Sequence, residues 1–129
     1  MIVLDTHAWL WWVAQPGRLS RAAARAIDSA EEIGICTLSA WEVAMLVGKR
    51  RISLDRELGT WVRQALALDR VVALAPSADV AVAAALLDAE DFPGDPADRL
   101  IYATARSAGA QLVTRDRALH RFDARTAVW

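Results

Sequence analysis

At 129 residues the chain has room for one domain with a packed core, expected to span residues 1–129, and none for a second. Apolar residues make up 55% and charged residues 24%, an ordinary globular balance, while a formal net charge of −1 argues against simple electrostatic capture of nucleic acid. No apolar run approaches the ~20 residues of a membrane span, and the single cysteine, Cys36, excludes an internal disulfide framework; the start "MIVLDTHAWLWW" lacks the basic region of a signal peptide, so the cytoplasm is the expected compartment.

Residues 1–5 form a short apolar run ending at Asp5, the pattern of a buried strand. From Thr6 the pattern turns helical and stops at the breaker cluster Gln15-Pro16-Gly17. Ser20 can cap the alanine-rich helix that follows, and Ile33 to Thr37 reads as a second strand. Ser39 and Glu42 match a capping box and predict a helix from there to about Val47. Lys49-Arg50-Arg51 is a basic turn, and Asp55 is expected to cap a helix through Leu68. Val71 to Leu74 is a third strand, and Pro76-Ser77 leads into the helix "ADVAVAAALLDA". After the breaker-rich stretch "EDFPGDPADRL", Asp95 can cap a helix with Pro96 at its first position, running to Ser107 and ending at Gly109. Gln111 to Thr114 is a fourth strand, Asp116 opens a short helical turn, and Thr126 to Trp129 reads as a last edge strand. Strands alternating with helices imply an α/β fold whose mainly parallel sheet is covered on both faces.

Four acids fall at strand ends or helix starts in this scheme. Asp5 closes the first strand and Asp116 follows the fourth; Glu42 and Asp98 stand in the first turns of helices. Ligands of open α/β sheets bind beyond the carboxyl ends of the strands, so all four are expected to reach one rim. Carboxylates gathered there repel one another, and a hard divalent cation with oxygen ligands, Mg²⁺ or Mn²⁺, resolves the repulsion. No Cys/His cluster invites zinc. Each acid also has a structural reading: Glu42 can complete a capping box, Asp98 can favour a helix dipole, and Asp116 can cap a turn. Asp5 is harder to explain that way, because an acid closing a buried strand is costly without a partner.

The segments "MIVLDTHAWLWW", "LSAWEVAML", "DPADRLIYATA" and "LVTRD", in this order across essentially the whole chain, resemble the PIN domain of VapC-type toxins, the ribonucleases of type II toxin–antitoxin pairs. The resemblance implies a three-layer sandwich with a central, mainly parallel sheet flanked by helices. It implies an endoribonuclease that hydrolyses RNA through a Mg²⁺ or Mn²⁺ site made by Asp5, Glu42, Asp98 and Asp116, leaving a 5′-phosphate and a 3′-hydroxyl. Thr6 and Thr114 match hydroxyl positions beside the first and last acids. A cognate antitoxin and a second copy of the chain are the implied partners, with Lys49, Arg50 and Arg51 near a shared groove.

Several neighbours of these motifs are expected to be structural: Asp95 and Ser39 as caps, Arg99 as a salt-bridge partner within the fold. His7 is expected to face a partner more than to act in catalysis. Trp9 and Trp12 share a helix face while Trp11 points elsewhere, so at least one of the three is expected at the surface as an anchor for antitoxin or second subunit. A receiver-like signalling domain would need an acid pair after the first strand and a late lysine, whereas Asp5 stands alone and Lys49 comes too early. A haloacid-type phosphatase would need an acid where His7 stands. The remaining alternative is a PIN-fold module that binds a partner without cutting, which loss of any of the four acids would have favoured.

Overall fold

The structure, a computed structural model, describes residues 1–129. Five short strands form one sheet: β1 (Ile2–Leu4), β2 (Ile33–Cys36), β3 (Val71–Leu74), β4 (Gln111–Val113) and β5 (Ala127–Val128). Their order is β3-β2-β1-β4-β5, and every neighbouring pair is parallel. The central β1 and β2 are buried at every residue, which is why they read as unbroken apolar runs and not as alternating ones.

Seven α-helices cover the two faces: α1 (Thr6–Ala14), α2 (Arg21–Ser29), α3 (Thr37–Gly48), α4 (Leu58–Leu66), α5 (Ala78–Leu86), α6 (Pro96–Ser107) and α7 (Arg117–Phe122). Successive strand side chains point to opposite faces. Ile2 and Leu4 therefore pack with Trp9 of α1, Ile27 of α2, Val43 of α3 and Trp61 of α4. Val3, between them, packs on the other side with Ile101, Tyr102 and Ala105 of α6 and Leu119 of α7. The expected sandwich is present, with a sheet that is wholly parallel.

The C-terminal stretch is fastened by Asp123. Its carboxylate accepts from the Tyr102 hydroxyl at 2.7 Å, the Arg106 guanidinium at 2.8 Å, and the amides of Arg125 and Thr126. These bonds hold its pKa far below the usual carboxylate range although burial opposes them. The turn so formed delivers β5 to the edge of β4 and places Trp129 beside Trp11, at 5.5 Å between ring centroids.

Three sequence expectations are corrected. The helix after β2 begins at Thr37, without a side-chain cap, so Ser39 sits inside its first turn and Glu42 a turn later; the Ser39–Glu42 capping box is not formed. Ser39 is fully buried and hydrogen-bonds the Thr6 hydroxyl at 3.1 Å, which diverts it from the backbone. Asp55 does not cap α4: its two oxygens pair with Arg56, and Glu57 caps the helix through the amides of Gly59 and Thr60. Asp5 lies one residue beyond β1, where it is the N-cap of α1.

Candidate active site

The chain builds β1, β2 and β3 outward in one direction and then crosses back to lay β4 and β5 on the other side of β1. The strand order thus reverses between β1 and β4, the position where open parallel sheets form a crevice. Asp5 and Asp116 leave the sheet on either side of it. The Asp5 amide donates to the Val113 carbonyl at 3.0 Å, tying the end of β1 to the end of β4. Asp5 and Asp116 then turn the chain into α1 and α7 as N-caps, Asp5 Oδ1 accepting from the Ala8 amide at 2.7 Å and Asp116 Oδ1 from that of Ala118 at 2.8 Å.

A cleft of about 480 Å³ opens there, lined by Asp5, Asp98 and Asp116 together with Thr114 and His7. Asp98 comes from the N-terminus of α6. It completes a capping box with Asp95, each carboxylate accepting the other residue's amide, at 2.9 Å and 3.2 Å. Asp95 is therefore the cap expected, and Pro96 occupies the first helical position. Glu42 does not line this cleft. It approaches from α3 and accepts a hydrogen bond from the Thr6 hydroxyl.

The four carboxylates are electrostatically one group, though no three of them stand as a ready-made ligand set. Burial raises the pKa of Asp5 most, against the Thr114 hydroxyl and the Ala8 amide, and Asp116 adds to the rise. Burial also raises Glu42, helped by the charges of Asp95 and Asp5 and opposed by Thr6 and His7. Asp98 is pushed up to about 7 by burial and then by Asp95, with Glu42 contributing. These are acids made unhappy by one another and by partial removal from water, the condition a cation relieves. One oxygen each of Asp98 and Asp116 is engaged in capping while the other takes no protein hydrogen bond. An all-oxygen donor set with such spare oxygens fits Mg²⁺ or Mn²⁺ and not zinc.

The shifts dictate how stability depends on pH without metal. A carboxylate whose folded pKa lies above its unfolded value near 4 keeps more protons folded than unfolded, so stability falls as pH rises between the two. The depressed Asp123 acts oppositely, but its contribution is complete above about pH 5 and does not change at higher pH. Metal-free protein is expected to melt at a higher temperature near pH 5 than near pH 8, with saturating Mn²⁺ narrowing or reversing the difference. Thermal melts at the two pH values with EDTA or Mn²⁺ measure this; a metal-free melting point that rises with pH would contradict the electrostatic description.

The stretch before α6 is shaped around Gly94. A Cβ there would stand 2.5 Å from Asp98 Cβ and 2.6 Å from Phe92 Cε1. Both neighbours line the cleft, so Gly94→Ala is expected to move Asp98, with about 1–3 kcal/mol lost in stability. Metal affinity is expected to fall with it by about tenfold or more, read by calorimetric titration of the folded variant with Mn²⁺. Unchanged affinity would show that Asp98 is not held in place by this packing.

The remaining candidates sort out individually. Arg99 pairs with Asp88 at 2.7 Å, the salt bridge expected within the fold. His7 is exposed and leans on Trp11 at 5.7 Å between centroids. Arg50 and Arg51 line a different groove with Arg56 and Leu58. The cations at the acidic cleft are instead Arg115 and Arg117, and the sequence reading missed both. Their signal was present, since they flank Asp116 in "TRDRA". Trp9 is fully buried, Trp12 packs on the core from its edge, and Trp11 lines the cleft.

The PIN domain family matches residues 2–125. The chain is 45% identical to "Ribonuclease VapC22" of Mycobacterium tuberculosis, over 99% of this chain and 98% of that protein. Among solved structures it is similar to a Rickettsia felis VapBC2 complex bound to a DNA fragment from their promoter, with a TM-score of 0.68, 16% identity and 98% and 97% of the two chains covered. It is also similar to a toxin–antitoxin complex from Klebsiella pneumoniae, with a TM-score of 0.64, 21% identity and 90% and 87% coverage. The chain belongs to the PIN-domain family and, within it, to the VapC-type ribonucleases.

Proposed function

We propose that this protein is a divalent-metal-dependent endoribonuclease acting in the cytoplasm as the toxin of a toxin–antitoxin pair. The observation that carries the reading is the convergence of Asp5, Asp98 and Asp116 on one cleft at the reversal of strand order, with Glu42 coupled to them by charge. Asp5, Asp98 and Asp116 are the residues to hold the ion, with Glu42 as a fourth carboxylate reached through Thr6. When bound, Mg²⁺ or Mn²⁺ supplies neutralisation of the scissile phosphate and acidification of a water. The chain's own contribution is positional. The caps at Asp5, Asp98 and Asp116 fix the three carboxylates to helix N-termini, and the Thr114 hydroxyl accepts from the Asp116 amide at 3.1 Å just past the end of β4. Phosphoryl transfer needs charge neutralisation and alignment more than a protein nucleophile, which accounts for a site built of acids.

An antitoxin partner is supported by the 45% identity to a VapC ribonuclease and by toxin–antitoxin complexes among proteins of the same fold. Self-association is supported by exposed apolar side chains one turn apart, Trp41 and Met45 on α3 and Val82 and Leu86 on α5. No helix is long and apolar enough to cross a membrane.

The test is cleavage of a single-stranded RNA by purified protein freed of antitoxin. Fragments ending in a 3′-hydroxyl are expected with Mn²⁺ or Mg²⁺ and none with EDTA. Intact RNA at all metal concentrations, from folded protein, would favour the non-cutting interaction module.

A further inference from the structure

The cleft has a second wall that the acids do not explain. Trp11 lines it, with the Arg18 guanidinium 4.7 Å from its ring centroid and that of Arg115 at 5.9 Å. His7 and Trp129 lie against the same indole, at 5.7 Å and 5.5 Å between centroids. Core packing does not require this arrangement: Trp9, Trp12 and Trp129 join the hydrophobic cluster on that face of the sheet, and Trp11 does not. Arg115 is exposed and makes no ion pair, although Asp116 is its neighbour in sequence. A half-exposed indole, an exposed imidazole and a guanidinium without an ion pair thus line the cavity that holds the carboxylates.

We propose that His7, Trp11 and Arg115 form a subsite for one unpaired nucleotide adjacent to the phosphate addressed by the acids. The base stacks on the aromatic wall, and its phosphate pairs with Arg115. This rests on the ribonuclease reading above and adds to it the group that holds the substrate strand. Three considerations lead there. An aromatic face beside a guanidinium is the combination that binds single-stranded nucleic acid, because every base has a π-face and every nucleotide a phosphate. A cavity near 480 Å³ is at the scale of a small ligand and too small for a duplex. A chain of net charge −1 with an acidic cleft also needs a local cation to hold RNA, and Arg115 is placed for it. Stacking discriminates little among bases, so the subsite selects an unpaired nucleotide over a paired one and not one base over another.

The experiment is steady-state cleavage of a single-stranded RNA oligonucleotide with Mn²⁺, comparing wild type with Trp11→Ala, Trp11→Phe and Arg115→Ala. Trp11→Ala is expected to raise KM about ten- to a hundredfold, the size of one lost base stack, with kcat within about threefold of wild type. Trp11→Phe, which keeps a ring, should recover most of the loss. Arg115→Ala should raise KM about tenfold and reduce the salt dependence of KM by about one ion. If Trp11→Ala does not fold because Trp129 loses its neighbour, the exposed Arg115 decides the matter alone. Wild-type KM in Arg115→Ala or in folded Trp11→Ala would overturn the subsite, as would a fall in kcat at constant KM, which would make Trp11 a support for the acids. In those cases the ribonuclease reading stands. Failure of the wild type to cut RNA at all overturns that reading, and the subsite with it.

Discussion

Asp5→Asn is expected to abolish most RNA cleavage while making the metal-free protein more stable. The two effects have one cause. Asp5 is partly exposed yet hemmed in by protein atoms, its pKa is raised, and its charge adds to the burden on Glu42. Removing that charge relieves repulsion in the absence of metal, so the melting temperature with EDTA should rise. The same change takes a charged ligand from the cation, and a fall in rate of about a hundredfold or more follows for a group acting on developing charge. Asparagine is the informative replacement because it caps helices as well as aspartate does, so the bond to the Ala8 amide survives. Asp5→Ala, by contrast, loses the cap as well, about 1 kcal/mol, which offsets the gain. His7→Ala should lower cleavage much less than Asp5→Asn, as expected of a side chain that holds RNA and does not coordinate. Melts with EDTA and initial rates with Mn²⁺ on the same preparations separate the two effects. Loss of activity accompanied by a lower metal-free melting point would mean that Asp5 is a structural cap.

The largest loss of stability is expected from Trp9→Ala, about 3–5 kcal/mol, a large share of the roughly 5–15 kcal/mol that holds a domain of this kind together. Trp9 has no solvent exposure and meets Trp61 edge to face at 5.2 Å, where α1 and α4 share the core beneath β1 and β2. Its indole N–H is buried with no hydrogen-bond partner. Trp9→Phe removes that unsatisfied donor along with some volume, so the two changes oppose each other and the cost should stay within about 1.5 kcal/mol. Urea denaturation of both variants measures the difference. Equal destabilisation would show that a six-membered ring alone restores nothing and that the site depends on the full shape of the indole.

The order of strands and helices was legible because breakers and β-branched runs alternate cleanly, and because Asp95-Pro96 announces α6 without ambiguity. Buried β1 and β2 read as apolar runs for the same physical reason that the sheet is parallel. The start of α3 was misplaced because Ser39, three residues before Glu42, satisfies a local rule while its hydroxyl is used over a long distance by Thr6. Asp55 misled in the same way, its carboxylate taken by Arg56 next to it. The roles of the three N-terminal tryptophans depend on tertiary contacts: Trp61 claims Trp9, and Trp129, delivered from the far end of the chain by β5, claims Trp11. Helical spacing put Trp9 and Trp12 on one face, and the cleft wall at Trp11 follows only once β5 is paired to β4. Asp5, Asp98 and Asp116 were legible because helix starts and strand ends are marked locally, and their meeting in one cleft is a consequence of strand order; Glu42 was placed by a capping box that does not form, and it stays outside the cleft.

Calorimetric titration of the metal-free protein with Mn²⁺ examines the acidic rim most directly, independently of any RNA. Wild type should bind Mn²⁺ at a saturable site. Asp5→Asn, Asp98→Asn and Asp116→Asn should each weaken binding by about tenfold or more, and Glu42→Gln should weaken it as well. Asp55→Asn, exposed and paired with Arg56 elsewhere on the surface, should bind as wild type does. Absence of a saturable site in folded wild type, or equal affinity in wild type and the three cleft variants, would contradict the assignment of these carboxylates to a metal centre.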